Sequence, residues 1–247
     1  DMEAKLRDMR LLNQIGIDRE RFYLMRPDNG DEAANIMKEL IFSGELDLLV
    51  LDSVTMMKPE KAQQADSQDH QMALTARLMS DWLPTVTPAL GTTETAFLIL
   101  GQERTRIEQW GAIPGPTGGR ALRHAAVVEC RIRKAGKPIQ DKYESYGINI
   151  EVANRKNQMG TPYRRTEISF YFKPYNGRDF GVDRAKDILV MADALKLIEK
   201  KGSWYYYKGE KLGQGEDNAA NTIADSPELR ADIEREVLGK TADEEGE

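Results

Sequence analysis

The chain of 247 residues is 40% hydrophobic and 31% charged, enough apolar material for the core of one large domain or of a medium domain with a small satellite. A single cysteine, Cys130, excludes an intramolecular disulfide, and with only two histidines beside it a Cys/His zinc site is excluded as well. No apolar run reaches the roughly 20 residues of a membrane span, so we expect a cytoplasmic protein without a membrane segment.

The net charge of -6 is unevenly distributed along the chain. Residues 120–173 carry twelve basic and five acidic side chains, a net +7, which leaves -13 for the remainder. Residues 216–247 carry eleven acidic side chains against three basic ones. A basic middle and an acidic end are typical of a polyanion-binding surface with its own electrostatic competitor. Solvated faces of ordinary helices and strands would give the same pattern.

The first half of the chain has the pattern of a strand–helix–strand unit. Two short, continuous apolar runs, residues 46–54 and 95–101, predict central strands of a parallel sheet that are buried on both faces. Between them, apolar residues at helical spacing predict a helix over 71–83, and the same spacing predicts an earlier helix over 32–42. The predicted core is therefore α/β, with a central, largely parallel sheet.

After Gly119 the apolar residues recur at every second position, which predicts three half-exposed strands near 128–133, 148–152 and 168–172. We interpret them as an antiparallel extension of the sheet. The remaining pattern predicts a helix over 185–200, an aromatic hairpin from Trp204, a helix over 227–238 and a disordered acidic tail. These last elements suggest a small α+β lobe.

Two polar segments rich in helix and strand breakers, residues 58–70 and 103–119, do not fit any regular element. Each follows the C-terminal end of a predicted parallel strand, the edge at which open α/β sheets bind ligands. Long loops in such places are usually functional or disordered. We therefore expect a binding site there.

Polar side chains end both predicted parallel strands. Asp52 and Ser53 close the first strand and Gln102 follows the second. A carboxylate at this rim is the Walker B arrangement, which holds Mg²⁺, usually through water, but a strand-ending Asp also serves as a helix cap. The phosphate-binding motif G-x-x-x-x-G-K-[ST] is matched only at Gly239-Lys240-Thr241, without its first glycine, and we interpret that match as chance.

Several stretches resemble the bacterial and phage RecA recombinase family: residues 46–54, 71–80, 117–122, 156–163 and, above all, 202–215. The last, GSWYYYKGEKLGQG, is close to the family signature G-x-W-Y-x-Y-x-G-x-x-I/L-G-Q-G and is specific. The resemblance implies a RecA-like ATPase core over 1–187, a C-terminal lobe over 188–240 and an acidic tail over 241–247. The family's polymerisation region and Walker A motif precede the matched part, so we expect the chain to be a fragment.

The resemblance implies ATP and Mg²⁺ as cofactors and assigns residues to them. Glu3 matches the glutamate that polarises the attacking water, Asp52 with Ser53 matches the Walker B position that holds Mg²⁺, and Gln102 matches the γ-phosphate sensor. Lys156 matches the first lysine of a Lys-Asn-Lys motif that reaches the neighbouring subunit's ATP. This chain has Gln158 in place of the second lysine.

The resemblance also places two DNA-binding loops at residues 58–70 and 103–119. Arg77 and Ser80, three apart on one helical face, suit a phosphate. The implied partners are single-stranded DNA, homologous duplex DNA and further copies of the chain in a filament, with a role in recombination, repair and the SOS response to DNA damage. The implied DNA-binding residues are Met72, Arg77, Ser80, Arg104, Arg106, Thr117, Gly118 and Gly119.

Three other interpretations remain open. The chain could be a DNA-binding module without ATPase activity, because the Walker A motif is missing from it. It could be a hexameric helicase-type motor of the same core fold, although such motors lack the 202–215 signature. A metabolic α/β enzyme fits less well with the basic middle and the two polar rim segments.

Overall fold

The structure is a computed structural model that describes residues 1–4, 6, 12, 16–63, 68–108, 111–116 and 119–245. It divides into two compact units, Asp1–Val127 and Val128–Glu247. The helices of the described part are α1 (Gly30–Ser43), α2 (Glu60–Gln63), α3 (Gln68–Leu90), α4 (Gly119–Ala125), α5 (Arg184–Ala194), α6 (Glu216–Asp225) and α7 (Pro227–Glu245). Its strands are β1 (Leu48–Leu51), β2 (Ala96–Ile99), β3 (Glu103–Glu108), β4 (Gly111–Pro116), β5 (Val128–Gln140), β6 (Ser145–Asn157), β7 (Arg165–Tyr171), β8 (Gly181–Val182), β9 (Ile198–Lys201), β10 (Trp204–Tyr207) and β11 (Glu210–Gln214).

The first unit is built on the predicted strand–helix–strand arrangement. Strands β1 and β2 pair in parallel, with Leu48 opposite Ala96 and Leu51 opposite Ile99, and α3 connects them. Helices α1 and α3 pack on the pair, and their core includes the fully buried Ile41. The Trp82 indole N–H of α3 donates to a carbonyl oxygen of α1 at 2.9 Å. The parallel core predicted from the sequence is confirmed.

Burial of β1 and β2 on both faces was predicted, and this prediction is wrong. Leu48 and Val50 of β1 remain 55% and 44% exposed, and Leu98 of β2 is 49% exposed. Leu51 is buried and Phe97 packs against the core of α1 and α3. Because side chains alternate along a strand and both helices cover the same face, every second residue stays in contact with solvent.

Helix α1 begins with reciprocal capping bonds. The Asn29 side chain accepts from the Glu32 N–H at 2.9 Å, while the Glu32 carboxylate accepts from the Asp28 N–H at 2.8 Å. The helix ends at Gly44, whose left-handed backbone, with φ of 68°, closes the last turn. These local signals explain why the predicted and observed bounds of α1 agree closely.

Helix α3 runs to Leu90, past Pro84 and Pro88. The apolar spacing predicted a helix only as far as Leu83, and a proline inside a helix removes one of its hydrogen bonds. The complete burial of Val86 beyond the first proline shows that tertiary packing continues the apolar stripe and outweighs that local cost.

The two segments without predicted structure contain regular elements. Residues 103–108 and 111–116 form the antiparallel pair β3–β4, with Glu103 opposite Pro116 and Glu108 opposite Gly111. The 58–70 segment contains α2 and the start of α3. Glycine and proline make up most of β4, and their low β-propensity is the reason why the sequence does not predict this strand. The hairpin bonds are formed regardless.

In the second unit, β5, β6, β7 and β8 form one antiparallel sheet in that order. Strands near 128–133, 148–152 and 168–172 were predicted and are confirmed, although the first two are each 13 residues long. They were expected to extend the parallel sheet, but among the described residues they form a sheet of their own, separate from the β1–β2 pair. The C-terminal lobe follows, with an antiparallel sheet in the order β11-β10-β9. Helices α5, α6 and α7 pack with it around a buried core that includes Leu189, Ile223 and Ile233.

Two boundaries in the lobe differ from the prediction. The predicted helix over 185–200 ends at Ala194, because the chain turns at Lys196, with φ of 56°, and continues as β9. The last helix continues to Glu245 instead of ending at Leu238, so the tail predicted to be disordered is largely helical. Its alanine and glutamates are good helix formers.

The fold class predicted from the sequence is confirmed: a mixed α/β chain with a parallel pair, antiparallel sheets and a C-terminal lobe of helices and strands. Within the described ranges, every helix is too short or too polar to cross a bilayer.

Candidate functional site

Three of the predicted nucleotide-site residues meet at the carboxyl end of β1. The Met2 N–H donates to the Asp52 carbonyl oxygen at 2.7 Å, which brings Glu3 beside the strand end. The Ser53 hydroxyl donates to Glu3 Oε1 at 2.8 Å, and Ser53 is only 2% exposed. The peptide bond between Asp52 and Ser53 is cis. Residues fifty positions apart in the sequence therefore form one site.

The end of β2 lies beside this group. The Val54 N–H donates to the Leu100 carbonyl oxygen at 2.9 Å, and the Gln102 N–H donates to Thr55 Oγ1 at 3.3 Å. Gln102 is thus held next to the segment that follows Asp52 and Ser53. Thr55 was not singled out from the sequence, because nothing in its neighbourhood marks it as a contact of Gln102.

The donor set at this edge consists of oxygen atoms. Carboxylates of Glu3 and Asp52 and the hydroxyl of Ser53 are the ligand types that Mg²⁺ takes. In the described part of the chain, groups of three or more His, Cys, Asp or Glu that could hold a metal ion do not occur. Mg²⁺ is commonly bound by one or two carboxylates together with substrate phosphates, so the carboxylates of Glu3 and Asp52 are of a kind that suits it.

The predicted DNA-contacting residues of α3 lie next to the start of α4. The Arg77 side chain is 81% exposed and lies 3.9 Å from Asp81, and the Ser80 hydroxyl donates to the Ala76 carbonyl oxygen at 2.7 Å. Gly119 opens α4 with φ of 79°, and a Cβ built there would lie 3.1 Å from Ala76 Cβ. The structure therefore brings Gly119 against the same turn of α3 that carries Arg77 and Ser80.

The other predicted residues are not brought into this group. Met72 lies near the start of α3 and is partly buried, while Arg104 and Arg106 occupy β3 positions opposite Gly115 and Ile113. Lys156 lies in β6 of the second unit, opposite Glu129. Thr117 and Gly118 lie outside the described residues.

A contact that the sequence did not indicate joins α1 to the segment after β1. The Gly30 N–H donates to the Lys58 carbonyl oxygen at 2.7 Å, and the Asp31 carboxylate accepts from the Glu60 N–H at 2.8 Å. Asp31 and Glu60 lie 29 residues apart in the sequence, so no local pattern could reveal this contact.

Several charged side chains of the second unit form ion pairs. Arg133 Nε lies 2.7 Å from Glu151 Oε1, and its hydrogen bond lowers the pKa of the Glu151 carboxyl. The Lys208 ammonium contacts Asp232 Oδ2 at 2.9 Å and Glu236 Oε1 at 2.7 Å, and these bonds raise the pKa of Lys208. The positive charge of Lys208, which follows β10, is therefore offset by two carboxylates of α7.

Comparison with known proteins supplies the family. Two parallel strands with the carboxylates of Glu3 and Asp52 at their carboxyl end, and with polar segments following them, are the arrangement of a nucleotide-binding α/β protein. The family model of the RecA N-terminal domain matches residues 1–175, and that of the RecA C-terminal domain matches residues 186–242. The chain belongs to the RecA family.

Individual relatives agree with that assignment. Protein RecA of Thermus aquaticus is 35% identical over 242 residues, covering 95% of this chain and 69% of the relative. Protein RecA of Syntrophus aciditrophicus is 34% identical, with 93% and 65% covered, and that of Streptomyces venezuelae is 33% identical, with 94% and 60% covered. The chain thus spans about two thirds of the length of these curated relatives.

Proposed function

We propose that the protein acts as a RecA-like recombinase: an ATP-dependent cytoplasmic protein that assembles on single-stranded DNA and exchanges strands with homologous duplex in recombination and repair. Membership of the RecA family supports this proposal. The structural observation that carries it is the contact of Gly119 with Ala76, which joins the end of the second predicted loop to the α3 turn bearing Arg77 and Ser80.

In this proposal the residues at the carboxyl ends of β1 and β2 have separate tasks. Bound ATP with Mg²⁺ would supply the γ-phosphate that is transferred to water, with Asp52 holding the metal through water. Glu3 would accept a proton from the attacking water. Ser53 fixes the orientation of Glu3 through its 2.8 Å hydrogen bond. Gln102, whose N–H donates to Thr55 Oγ1, would contact the γ-phosphate and couple its presence to the conformation of the second loop.

The DNA-binding task falls to α3 and the segments that flank it. The Arg77 side chain is exposed and its ion pair with Asp81 is long at 3.9 Å, so a phosphate can compete for it. The Ser80 hydroxyl can donate to a phosphate oxygen in place of the Ala76 carbonyl oxygen, and Gly119 allows the backbone to approach a phosphate closely. Lys156 of the second unit would face the ATP of a neighbouring copy in a filament.

Titration of a labelled single-stranded oligonucleotide at several salt concentrations tests the DNA assignment. Arg77→Ala should weaken binding to all sequences alike and reduce the slope of log affinity against log salt by about 0.7. The matched control is Arg21→Ala, because Arg21 is also exposed and paired with an aspartate, Asp47, at 3.0 Å, but lies outside α3 and both predicted loops. Superimposed curves for the two variants would refute the assignment.

A further inference from the structure

We propose that Asn176 is a modification site at which the chain converts spontaneously to isoaspartate, and that this conversion opens the buried ion pair of Arg178. The sequence contains two Asn-Gly dipeptides, Asn29-Gly30 and Asn176-Gly177. Because glycine has no Cβ, its backbone nitrogen is unshielded from the side chain of the asparagine that precedes it. The two dipeptides are equally reactive in an unfolded chain, and the fold makes them different.

The reaction requires water as its only co-reactant. The backbone nitrogen of Gly177 loses its proton and attacks the side-chain amide carbon of Asn176, and ammonia leaves as the ring of a cyclic imide closes. Water then opens the ring at either of its two carbonyl carbons. One opening gives aspartate with an ordinary main chain. The other gives isoaspartate, in which the main chain runs through the former side chain and is longer by one carbon atom.

The Asn176-Gly177 peptide lies at the tip of a tight turn. The Tyr175 N–H donates to the Arg178 carbonyl oxygen at 2.9 Å, and the Arg178 N–H donates to the Tyr175 carbonyl oxygen at 3.0 Å. Both central residues have left-handed backbones, with φ of 50° at Asn176 and 74° at Gly177, as in a type I′ turn. Both are exposed, and the bonds that close the turn belong to their neighbours, so only the tip must move before the ring closes.

The Asn29-Gly30 peptide is held on both sides of the reacting atoms. The Gly30 N–H donates to the Lys58 carbonyl oxygen at 2.7 Å, and Gly30 is buried at the start of α1. A Cβ built on Gly30 would lie 2.7 Å from the carbonyl carbon of Met57, so the backbone is closely packed there. The Asn29 side-chain oxygen accepts from the Glu32 N–H at 2.9 Å. This site can therefore react only after the start of α1 unfolds locally.

Isoaspartate is incompatible with the turn that precedes Arg178. A two-residue loop fixes the pairing of its flanking residues, and a longer main chain cannot keep both bonds between Tyr175 and Arg178. The Arg178 side chain is only 7% exposed and donates to Asp183 and to the Ala220 carbonyl oxygen. Displacing it leaves the buried Asp183 carboxylate without its partner, which is strongly destabilising.

The charge of either product is unfavourable as well. A Cβ on Gly177 would lie 3.5 Å from Asp225 Oδ1, at the last residue of α6. A carboxylate in this turn therefore lies near a like charge and near the C-terminal end of a helix, whose dipole also repels an anion. Both products should lower stability, and isoaspartate should lower it more because it also displaces Arg178.

Peptide mass spectrometry of the purified chain, incubated at neutral pH, tests the site. Trypsin places Asn176 in the fragment 166–178 and Asn29 in the fragment 22–38, because the basic residues inside these fragments precede proline. Conversion at Asn176 should be at least about tenfold faster than at Asn29, which must wait for local unfolding. In concentrated urea, where both sites are open, the two rates should be equal. The cyclic route gives aspartate and isoaspartate together, which chromatography separates.

Urea unfolding tests the consequence, with the isoaspartate form isolated by anion exchange. Asn176→Gly is the control incubated in parallel, because it cannot react and glycine accepts the positive φ of the turn. Asn176→Asp carries the new charge on an ordinary main chain. The unfolding constant of the isoaspartate form should exceed that of Asn176→Gly at least about tenfold. Asn176→Asp should lie between the two.

Conversion of Asn176 no faster than that of Asn29 in the folded chain would overturn the site, and so would aspartate as the sole product. Equal unfolding midpoints of the isoaspartate form and Asn176→Gly would refute the link to Arg178. These measurements use neither DNA nor nucleotide, so their outcome does not depend on the proposed recombinase function.

Discussion

Replacing Arg178 by Met should destabilise the second unit severely. The side chains of Arg178 and Asp183 are only 7% and 2% exposed, and Arg178 Nε donates to Asp183 Oδ2 at 2.8 Å. Arg178 Nη1 also donates to the Ala220 carbonyl oxygen of α6 at 3.1 Å, and Asp183 Oδ1 accepts from the Lys186 N–H to cap α5. One guanidinium thus links the turn after β7 to two helices of the lobe.

The magnitude follows from what the substitution leaves behind. Methionine fills much of the space of the arginine stem, so the cavity is small, but a buried carboxylate and a buried carbonyl oxygen lose their donor. Removal of one partner from a buried ion pair costs about 3–5 kcal/mol. In the double variant with Asp183→Asn the helix cap is retained and the unpaired charge is gone, so the loss should fall to about 1–2 kcal/mol.

Urea unfolding followed by far-ultraviolet circular dichroism measures these losses as shifts of the transition midpoint at constant slope. Arg235→Met is the control, because Arg235 is 75% exposed and pairs with Asp232 at 3.2 Å on the surface of α7. An exposed pair of this kind contributes at most about 1 kcal/mol. If Arg178→Met cost no more than Arg235→Met, or if the double variant were no more stable than the single, the reasoning from burial would be refuted.

Three further outcomes are expected. The hydrogen bond from Arg133 lowers the pKa of Glu151 below its ordinary value of 4.5. The loss of stability in Arg133→Met should therefore be complete above pH 4.5 and should disappear as the pH falls through the lowered pKa. Urea unfolding at a series of pH values measures this loss. Gly213→Ala places a Cβ 2.8 Å from the backbone of α6 and should cost about 1–3 kcal/mol by thermal melting, whereas Gly239→Ala, with no neighbour within 4 Å, should be neutral or stabilising. Deleting residues 241–247 should strengthen oligonucleotide binding most at low salt, because the Debye length falls from about 30 Å at 0.01 M to about 10 Å at 0.1 M. Titration curves of the intact and the shortened chain that superimpose at every salt concentration would contradict competition by the acidic end.

Elements whose signal is local could be predicted from the sequence. The cap residues around Asn29 and Gly44 delimit α1, and the period-two pattern identifies β5, β6 and β7. The aromatic stretch with its Lys-Gly-Glu-Lys turn corresponds to β10 and β11. In each case the residues that determine the element are neighbours in sequence, so periodicity and turn chemistry suffice.

Features that depend on distant partners could not be predicted. The Ser53–Glu3 bond spans 50 residues and the Glu60–Asp31 bond 29, and neither has a local signature. The apolar residues around Ile198 suit a helix as well as a strand, and only pairing with β10 decides for β9. The position of Glu3 came from the family resemblance, whereas the strand-end pattern had already marked Asp52 and Gln102. The roles of all three residues stay predictions.

The position of Trp82 gives the chain an internal optical reporter. Its ring is 7% exposed and lies edge-on to Phe97, with 5.9 Å between ring centroids. An indole so shielded from water emits at shorter wavelength than one in solvent, so separation of α3 from α1 would shift its emission to the red. Replacing the other two tryptophans, Trp110 and Trp204, with phenylalanine leaves this single emitter. Movements between these two helices can then be followed in real time, without any attached dye.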